Sequence, residues 1–506
     1  MVNSSSNVAL EIGEPSALRR FFGVMAPIKR GEGATVVLLT VNVFVLLICY
    51  YVLKVLREPL ILLGGGAELK AYASAGQTLL LLAVVPAFGW LSNRVSRLRL
   101  LTTMQVIFIG CLFAFYALAR ARAPIGLAFY LWLGIFNILV VSNFWSFAND
   151  LYKEEQGKRL FAIIGVGASI GAIIGAFVPQ LLHQVVGMYG LLLVAAGGLG
   201  LSIVLYRVID LRERATAGPD VSNASNAAAA AAAAARDAGE PAPSRKGGFA
   251  LVIKDRYLRL LAAMLLVATI INTTGEYVVG KMATDRAKAY AANVAAAPGA
   301  SPTPAAAAAA DASGKSGGAH GTVESVQGQY IERFYSDYYS LVNLLSFLLQ
   351  AALVARLLTW LGIRRSLFIM PLIVLGGWFA LALFVNLTLV RVEKTAENSL
   401  DYSLHNTLRQ ALFLPTSRES KYKAKAAIDT FFFRMGDVIA GMGIVFLFVS
   451  VLGLGVRAFA VLNVVLALCW LALAARTGAL HDRLARAQDG AGKPTGEESR
   501  PGHAQR

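Results

Sequence analysis

The sequence predicts an all-α membrane protein with twelve transmembrane helices in two six-helix halves. Three observations carry this prediction. Of the 506 residues, 57% are hydrophobic and only 15% charged, and the mean hydropathy is +0.60. Soluble domains hold about 45–50% apolar and about 25% charged residues, so a soluble multidomain enzyme is excluded at the outset. Crossing the hydrocarbon core takes roughly 20 mostly apolar residues per helix, and the chain offers twelve such stretches. Basic residues, finally, cluster in alternate connections, as the positive-inside rule requires.

The first six spans lie near 34–55, 71–91, 99–119, 125–147, 160–184 and 188–209. Six more lie near 257–281, 336–358, 366–386, 392–414, 426–452 and 456–476, the tenth being the most charged. The resulting domains are a cytoplasmic segment 1–33, a first half 34–210, a linker 211–250, a second half 251–480 and a cytoplasmic tail 481–506. Residues 1–33 are polar and mixed, unlike a cleaved leader. The linker carries the alanine run Ala227–Ala235, which has no apolar face to pack, and reads as flexible. A second low-complexity stretch, 283–325, reads as an external loop within the second half.

Arg19, Arg20, Arg94, Arg97, Lys158, Arg159, Arg364, Arg365, Lys421 and Lys423 fall on one side if both termini are cytoplasmic. The expected location is therefore a bacterial inner membrane, crossed several times. The net charge of +17 belongs mainly to these loops and does not call for a nucleic-acid partner. Cys49, Cys111 and Cys469 each sit in an apolar run, which fits packing rather than a disulfide or metal. No metal or other cofactor is implied, and no nucleophile–base pair marks an enzyme.

Ionisable groups in spanning helices are costly and should face protein or a watery cavity. Span one ends Lys54-Val-Leu-Arg57-Glu58-Pro59. Its three charges stand at i, i+3 and i+4 on one face, and Pro59 should end or kink the helix. Two cations against one carboxylate suit an anionic solute, which Arg57 can grip bidentately; snorkelling and an Arg57–Glu58 contact are the plainer reading. Span seven carries Asn272, Glu276 and Lys281 around Gly275, where unwinding would open a polar face. Span ten repeats Glu397, Asp401, His405 and Arg409 every fourth residue, one charged stripe along a helix. It reads either as a solvated face or as a cavity lining, in which His405 would titrate near neutral pH. Span eleven holds Arg434 and Asp437 at i, i+3, placed to pair, after the triple Phe431–Phe433. Gly171 and Gly175 in span five form a close-packing face.

The connection after span two, Gly89-Trp-Leu-Ser-Asn93-Arg94-Val-Ser-Arg97, resembles the cytoplasmic motif of the major facilitator superfamily, with Asn93 in place of its Asp. The resemblance implies two rocking halves, a central path lined by spans one, four, seven and ten, and a gating role for Asn93, Arg94 and Arg97. Four further segments, Tyr51–Glu58, Phe144–Asp150, Gly157–Phe161 and Lys425–Asp429, are similar to the nucleotide transporter family, the ATP:ADP antiporters of plastids and intracellular bacteria. By that resemblance Arg57 takes the place of the family's basic residue in span one and Glu276 that of its acid in span seven. Asp437 stands where the family has a Lys, a charge reversal that repels a polyphosphate unless Arg434 offsets it.

The expected function is secondary active transport by alternating access, with a nucleotide or other small organic anion as the small-molecule substrate. Lys54, Arg57, Glu58, Glu276, Lys281, Asp401, His405, Arg409, Arg434 and Asp437 are the candidate substrate residues, some of them also proton carriers. Besides the substrate, the lipid bilayer is the only partner implied, and no particular oligomeric state is indicated. A proton-coupled transporter of a neutral or cationic solute is the first rival reading. A non-transporting membrane scaffold or sensor that docks a partner through the linker is the second.

Overall fold

A computed structural model describes residues 33–92, 97–152, 154–239, 248–296, 318–417, 420 and 424–491. Among them there is no β-strand. The helices of the first half are α1 (Gly33–Ser92), α2 (Arg97–Arg120), α3 (Gly126–Leu151) and α4 (Glu154–Gly239). The rest of the chain forms α5 (Gly248–Lys254), α6 (Arg256–Ala296), α7 (Gly318–Leu349), α8 (Ala355–Ser366), α9 (Ile369–Leu383), α10 (Leu387–Leu400), α11 (Asn406–Ala411), α12 (Lys425–Ala427), α13 (Phe433–Val438) and α14 (Val456–Ala491). π-Helical segments join several of these: Gln350–Val354, Asp401–His405, Ile428–Phe432 and Ile439–Val451.

Eight helices among the described residues are long and apolar enough to cross a membrane, and the shorter α9 is apolar as well. The apolar part of α1 is 53 residues long and that of α4 is 51, each more than twice one crossing. Both fold back on themselves. Gly66 (φ 71°) and Gly187 (φ 69°) adopt the left-handed conformation that breaks a helix and that glycine alone enters freely. Lys70 consequently reaches Glu58 at 2.8 Å, although twelve residues of straight helix would separate them by roughly 18 Å. Gly175 and Gly198, on opposite sides of Gly187, likewise pack against the neighbouring residues Ile48 and Cys49.

The spacing of small residues explains how the first half closes. Gly167, Gly171 and Gly175 lie one turn apart and meet Thr40, Phe44 and Ile48, also one turn apart on α1. A Cβ on Gly175 would sit 2.7 Å from the Ile48 Cα, so the two backbones touch as small-residue faces allow. One buried core gathers Leu39, Val52, Phe129, Phe136, Phe144 and Leu199 within the first half. A second gathers Leu261, Tyr335, Trp378, Leu404 and Trp470 in the second half, and takes in Tyr51, Val55 and Ala176 where the halves meet.

Several expectations are corrected. Pro59 does not end the first span; α1 passes it and breaks at Gly65 and Gly66. Only one carbonyl loses its partner at such a proline, whereas a left-handed glycine redirects the chain. Gly275 lies in unbroken helix and does not unwind α6; its missing side chain makes room for Lys394 and Trp378. The stretch expected as a flexible linker is helical as far as Gly239, since alanine is the best helix former. The expected external loop 283–325 is helical over 283–296 and 318–325, because α6 runs to Ala296 and α7 starts at Gly318, and its remaining residues lie outside the described ones.

Candidate functional site

Between the two halves lies a cavity of about 160 Å³. Lys54, Arg57, Lys70, Ser74 and Tyr130 line it from the first half. Asn272, Thr273, Glu276, Tyr339, Asn398, Asp401, Tyr402 and Asp437 line it from the second.

The geometry starts from Glu58, whose side chain is fully buried behind the lining. It binds the Arg57 guanidinium on one side and the Lys70 ammonium, at 2.8 Å, on the other. The Tyr339 hydroxyl donates to it at 3.0 Å. Lys70 also reaches Glu276 at 3.4 Å, and the Asn398 amide donates to the same carboxylate at 3.1 Å. Two cations and two carboxylates thus cancel in one chain across the halves. Leaving any member unpaired at this depth would cost far more than the pairs gain. The Arg57 guanidinium additionally lies 4.5 Å from the centre of the Tyr130 ring.

Lys54 is held differently. It is 8% exposed, and among the described residues no carboxylate lies within ion-pair distance of it. Tyrosine rings surround its ammonium, with centres at 4.2 Å (Tyr339), 5.0 Å (Tyr51), 5.9 Å (Tyr402) and 6.0 Å (Tyr50). Ring faces attract a cation without neutralising it, so Lys54 keeps its charge available to the cavity. Asp437 is satisfied by hydroxyls, from Thr273 at 2.6 Å and Thr78 at 3.4 Å, and makes no ion pair with Arg434. Asp401 has neither an ion pair nor a hydrogen-bond partner of its side chain among the described residues.

The cavity therefore brings together Lys54, Arg57, Glu276, Asp401 and Asp437 of the sequence candidates, with Glu58 directly behind them. Four others lie apart, as does Glu397 of the span-ten stripe. Lys281 pairs with Glu68 at 3.4 Å near the Gly66 end of the bundle. His405 packs edge-on against Trp470. Arg409 faces Asp429 at 3.9 Å and the Phe433 ring at 5.3 Å. Arg434 lies outside the lining. Glu397 is buried against Lys394 at 2.9 Å, and Lys394 in turn donates to the Asn272 side chain. The stripe fails as a single cavity face because the chain is π-helical over Asp401–His405. The wider turn rotates Arg409 out of line with Glu397. Asn93 and Arg94 lie outside the described residues, as does the Arg97 side chain.

Lys70, Lys394, Tyr130, Tyr339 and Tyr402 are not singled out by the sequence. For Lys70 a signal exists: Gly64-Gly65-Gly66 marks the turn, which places Lys70 inside the second rod rather than before it.

Further bonds tie the halves together toward the Gly66 and Gly187 turns. Tyr277 donates to Glu68 at 3.1 Å, His183 meets Glu332 at 2.9 Å, and Ser336 and Asn343 donate to the Ala176 and Ala172 carbonyls.

A charge-lined cavity between two helical halves, in a chain that crosses the bilayer several times, defines a membrane transporter. The profile of the Major Facilitator Superfamily matches residues 35–314, and the chain belongs to that family. It is similar to ADP,ATP carrier protein 2 of Chlamydia trachomatis serovar D (strain ATCC VR-885 / DSM 19411 / UW-3/Cx), with 23% identity over 313 residues. That alignment covers 50% of this chain and 55% of the relative, so the chain spans about half the length of the curated protein it matches. Among solved structures, a POT family transporter in complex with 5-aminolevulinic acid aligns with a TM-score of 0.55 at 13% identity, over 88% of this chain and 96% of that one. The nucleoside transporter NupG aligns at 0.53 and 13% identity, over 87% and 98%. These two likenesses concern the fold.

Proposed function

We propose that this protein is a secondary active transporter that works by alternating access and carries a small organic anion, with nucleotides the first candidates. The observation that carries the reading is Lys54: a buried cation facing the cavity, caged by tyrosines and without a carboxylate partner among the described residues. Arg57 stands one turn away as a second donor, and its planar fork suits carboxylate and phosphate. The likeness to ADP,ATP carrier protein 2 supports nucleotides as candidates. Rocking is supported by a cavity that takes its lining from both halves, Lys54 and Arg57 from the first and Glu276 and Asp401 from the second. Counting α1 and α4 as two crossings each, and adding α9 and the α10–α11 stretch, supports twelve spans in two halves, 34–210 and 251–480. The one-sided basic residues support cytoplasmic termini in a bacterial inner membrane.

The test is uptake of radiolabelled ATP, ADP and simple organic acids into vesicles holding the purified protein. Arg57→Ala abolishes uptake while the protein still folds; unchanged uptake removes Arg57 from the site. Asp401, a cavity carboxylate without a partner among the described residues, favours a second reading, proton-coupled transport of a neutral or cationic solute. Uptake that collapses with the pH gradient and ignores nucleotides selects it.

A further inference from the structure

The charges of the cavity are sorted by half. All three lining cations, Lys54, Arg57 and Lys70, come from the first half, and all three lining carboxylates, Glu276, Asp401 and Asp437, from the second. Lys70 and Arg57 are neutralised by Glu58 and Glu276. Among the described residues, those left without a counter-ion are Lys54, the basic pole contributed by the first half, and Asp401 and Asp437, the acidic pole contributed by the second.

We propose that the cargo of this cavity is a small amphoteric solute, carrying an anionic group that docks at Lys54 and Arg57 and a protonated amine that docks at Asp401 and Asp437. The inference rests on the transporter reading of this cavity and sets an amphoteric solute in place of the organic anion as its cargo. A simple anion would pair with Lys54 but share the cavity with two carboxylates that have no counter-ion among the described residues, and like charges repel. A polyphosphate would worsen that repulsion. A simple cation would satisfy the acidic pole and leave Lys54 buried with only ring faces around it. An amphoteric solute pairs both poles and adds little net charge to a site within the membrane. Size agrees: about 160 Å³ is small beside the roughly 300–1,000 Å³ of pockets for drug-sized ligands. The poles also lie on opposite halves, so such a solute bridges the two bodies that must move together.

The experiment is a thermal-shift panel on the full-length purified protein, since a ligand that binds the folded state raises its melting temperature. The probes are matched trios: glycine and longer ω-amino acids, alanine, dialanine and phosphoethanolamine, each beside its deaminated acid and its amine without the acidic group. ATP and ADP complete the panel. At least one amphoteric compound should raise the melting temperature where neither of its matched partners does. Asp401→Asn should then weaken that compound at least about tenfold and erase its advantage over the acid. Lys54→Gln should erase its advantage over the amine. The panel on the unaltered protein decides even if a variant fails to fold. Acids, ATP or ADP binding as well as or better than every amphoteric compound overturns the proposal and leaves the organic-anion reading standing. Amines alone binding overturns both. A panel in which no amphoteric compound shifts the melting temperature also overturns the proposal.

Discussion

In the first half, three glycines of α4 lie against α1 at backbone distance, and no π-helical segment occurs among the described residues. In the second half, π-helical turns interrupt the helices between α7 and α14 at 350–354, 401–405, 428–432 and 439–451. A backbone-to-backbone seam has no slack, because neither partner has a side chain that can yield. A π-turn leaves one residue more than the α ladder needs and so lets a helix change phase. The first half thus presents its cations from a stiff frame, and the second half presents Asp401 and Asp437, though not Glu276, from or beside segments able to re-aim them. Asp401 opens one of those turns.

The comparison can be broken at its strongest point first. Glu58 is the carboxylate that balances the first half's own cations. Glu58→Ala leaves Lys70 and Arg57 short of a partner, and losing one member of a buried pair costs about 3–5 kcal/mol. Denaturant melts of the purified protein should show that loss, and near-wild-type stability would mean the pair carries little. Next comes the seam. A Cβ on Gly171 would lie 2.5 Å from the Phe44 carbonyl oxygen, so Gly171→Leu should cost at least the roughly 1–3 kcal/mol of overpacking. Gly376, on α9 of the second half, has open space at its Cβ position, and Gly376→Leu should be tolerated in the same melt. Lys54→Gln separates function from stability. It should cut binding of the anionic group at least about tenfold, about 1.4 kcal/mol, while removing a cation that has no ion pair to lose among the described residues. The smallest effect is a gain: Gly110→Ala, with nothing within 4 Å of the new methyl, should stabilise α2 by about 0.5–1 kcal/mol.

Composition alone makes the helical membrane class legible, because so low a charged fraction leaves no other home for the apolar residues. The glycine seam is legible because spacing by four is local information. So is the placing of Lys54 and Arg57 on one face of span one. Lys70 is legible only through Gly64-Gly65-Gly66, because apolar patterning alone suggests a longer loop where the turn takes two residues. Span ten misleads for a related reason: the stripe of Glu397, Asp401, His405 and Arg409 presumes an uninterrupted α-helix, and nothing in a single sequence announces a π-turn. The cage of Lys54 is long-range, since Tyr339 and Tyr402 come from other helices.

The tight turn at Gly65 and Gly66 bears on how the protein is made. A charge near the middle of a spanning helix resists insertion by about 2.5–3.5 kcal/mol, and α1 carries Lys54, Arg57, Glu58 and Lys70. The turn folds this stretch into a helical hairpin in which Glu58 already meets both Arg57 and Lys70. The hairpin can leave the translocation machinery with most of its charge neutralised from within, before the second half has been synthesised. Lys54 alone must wait, because two of the four tyrosines that receive it arrive more than two hundred and fifty residues later.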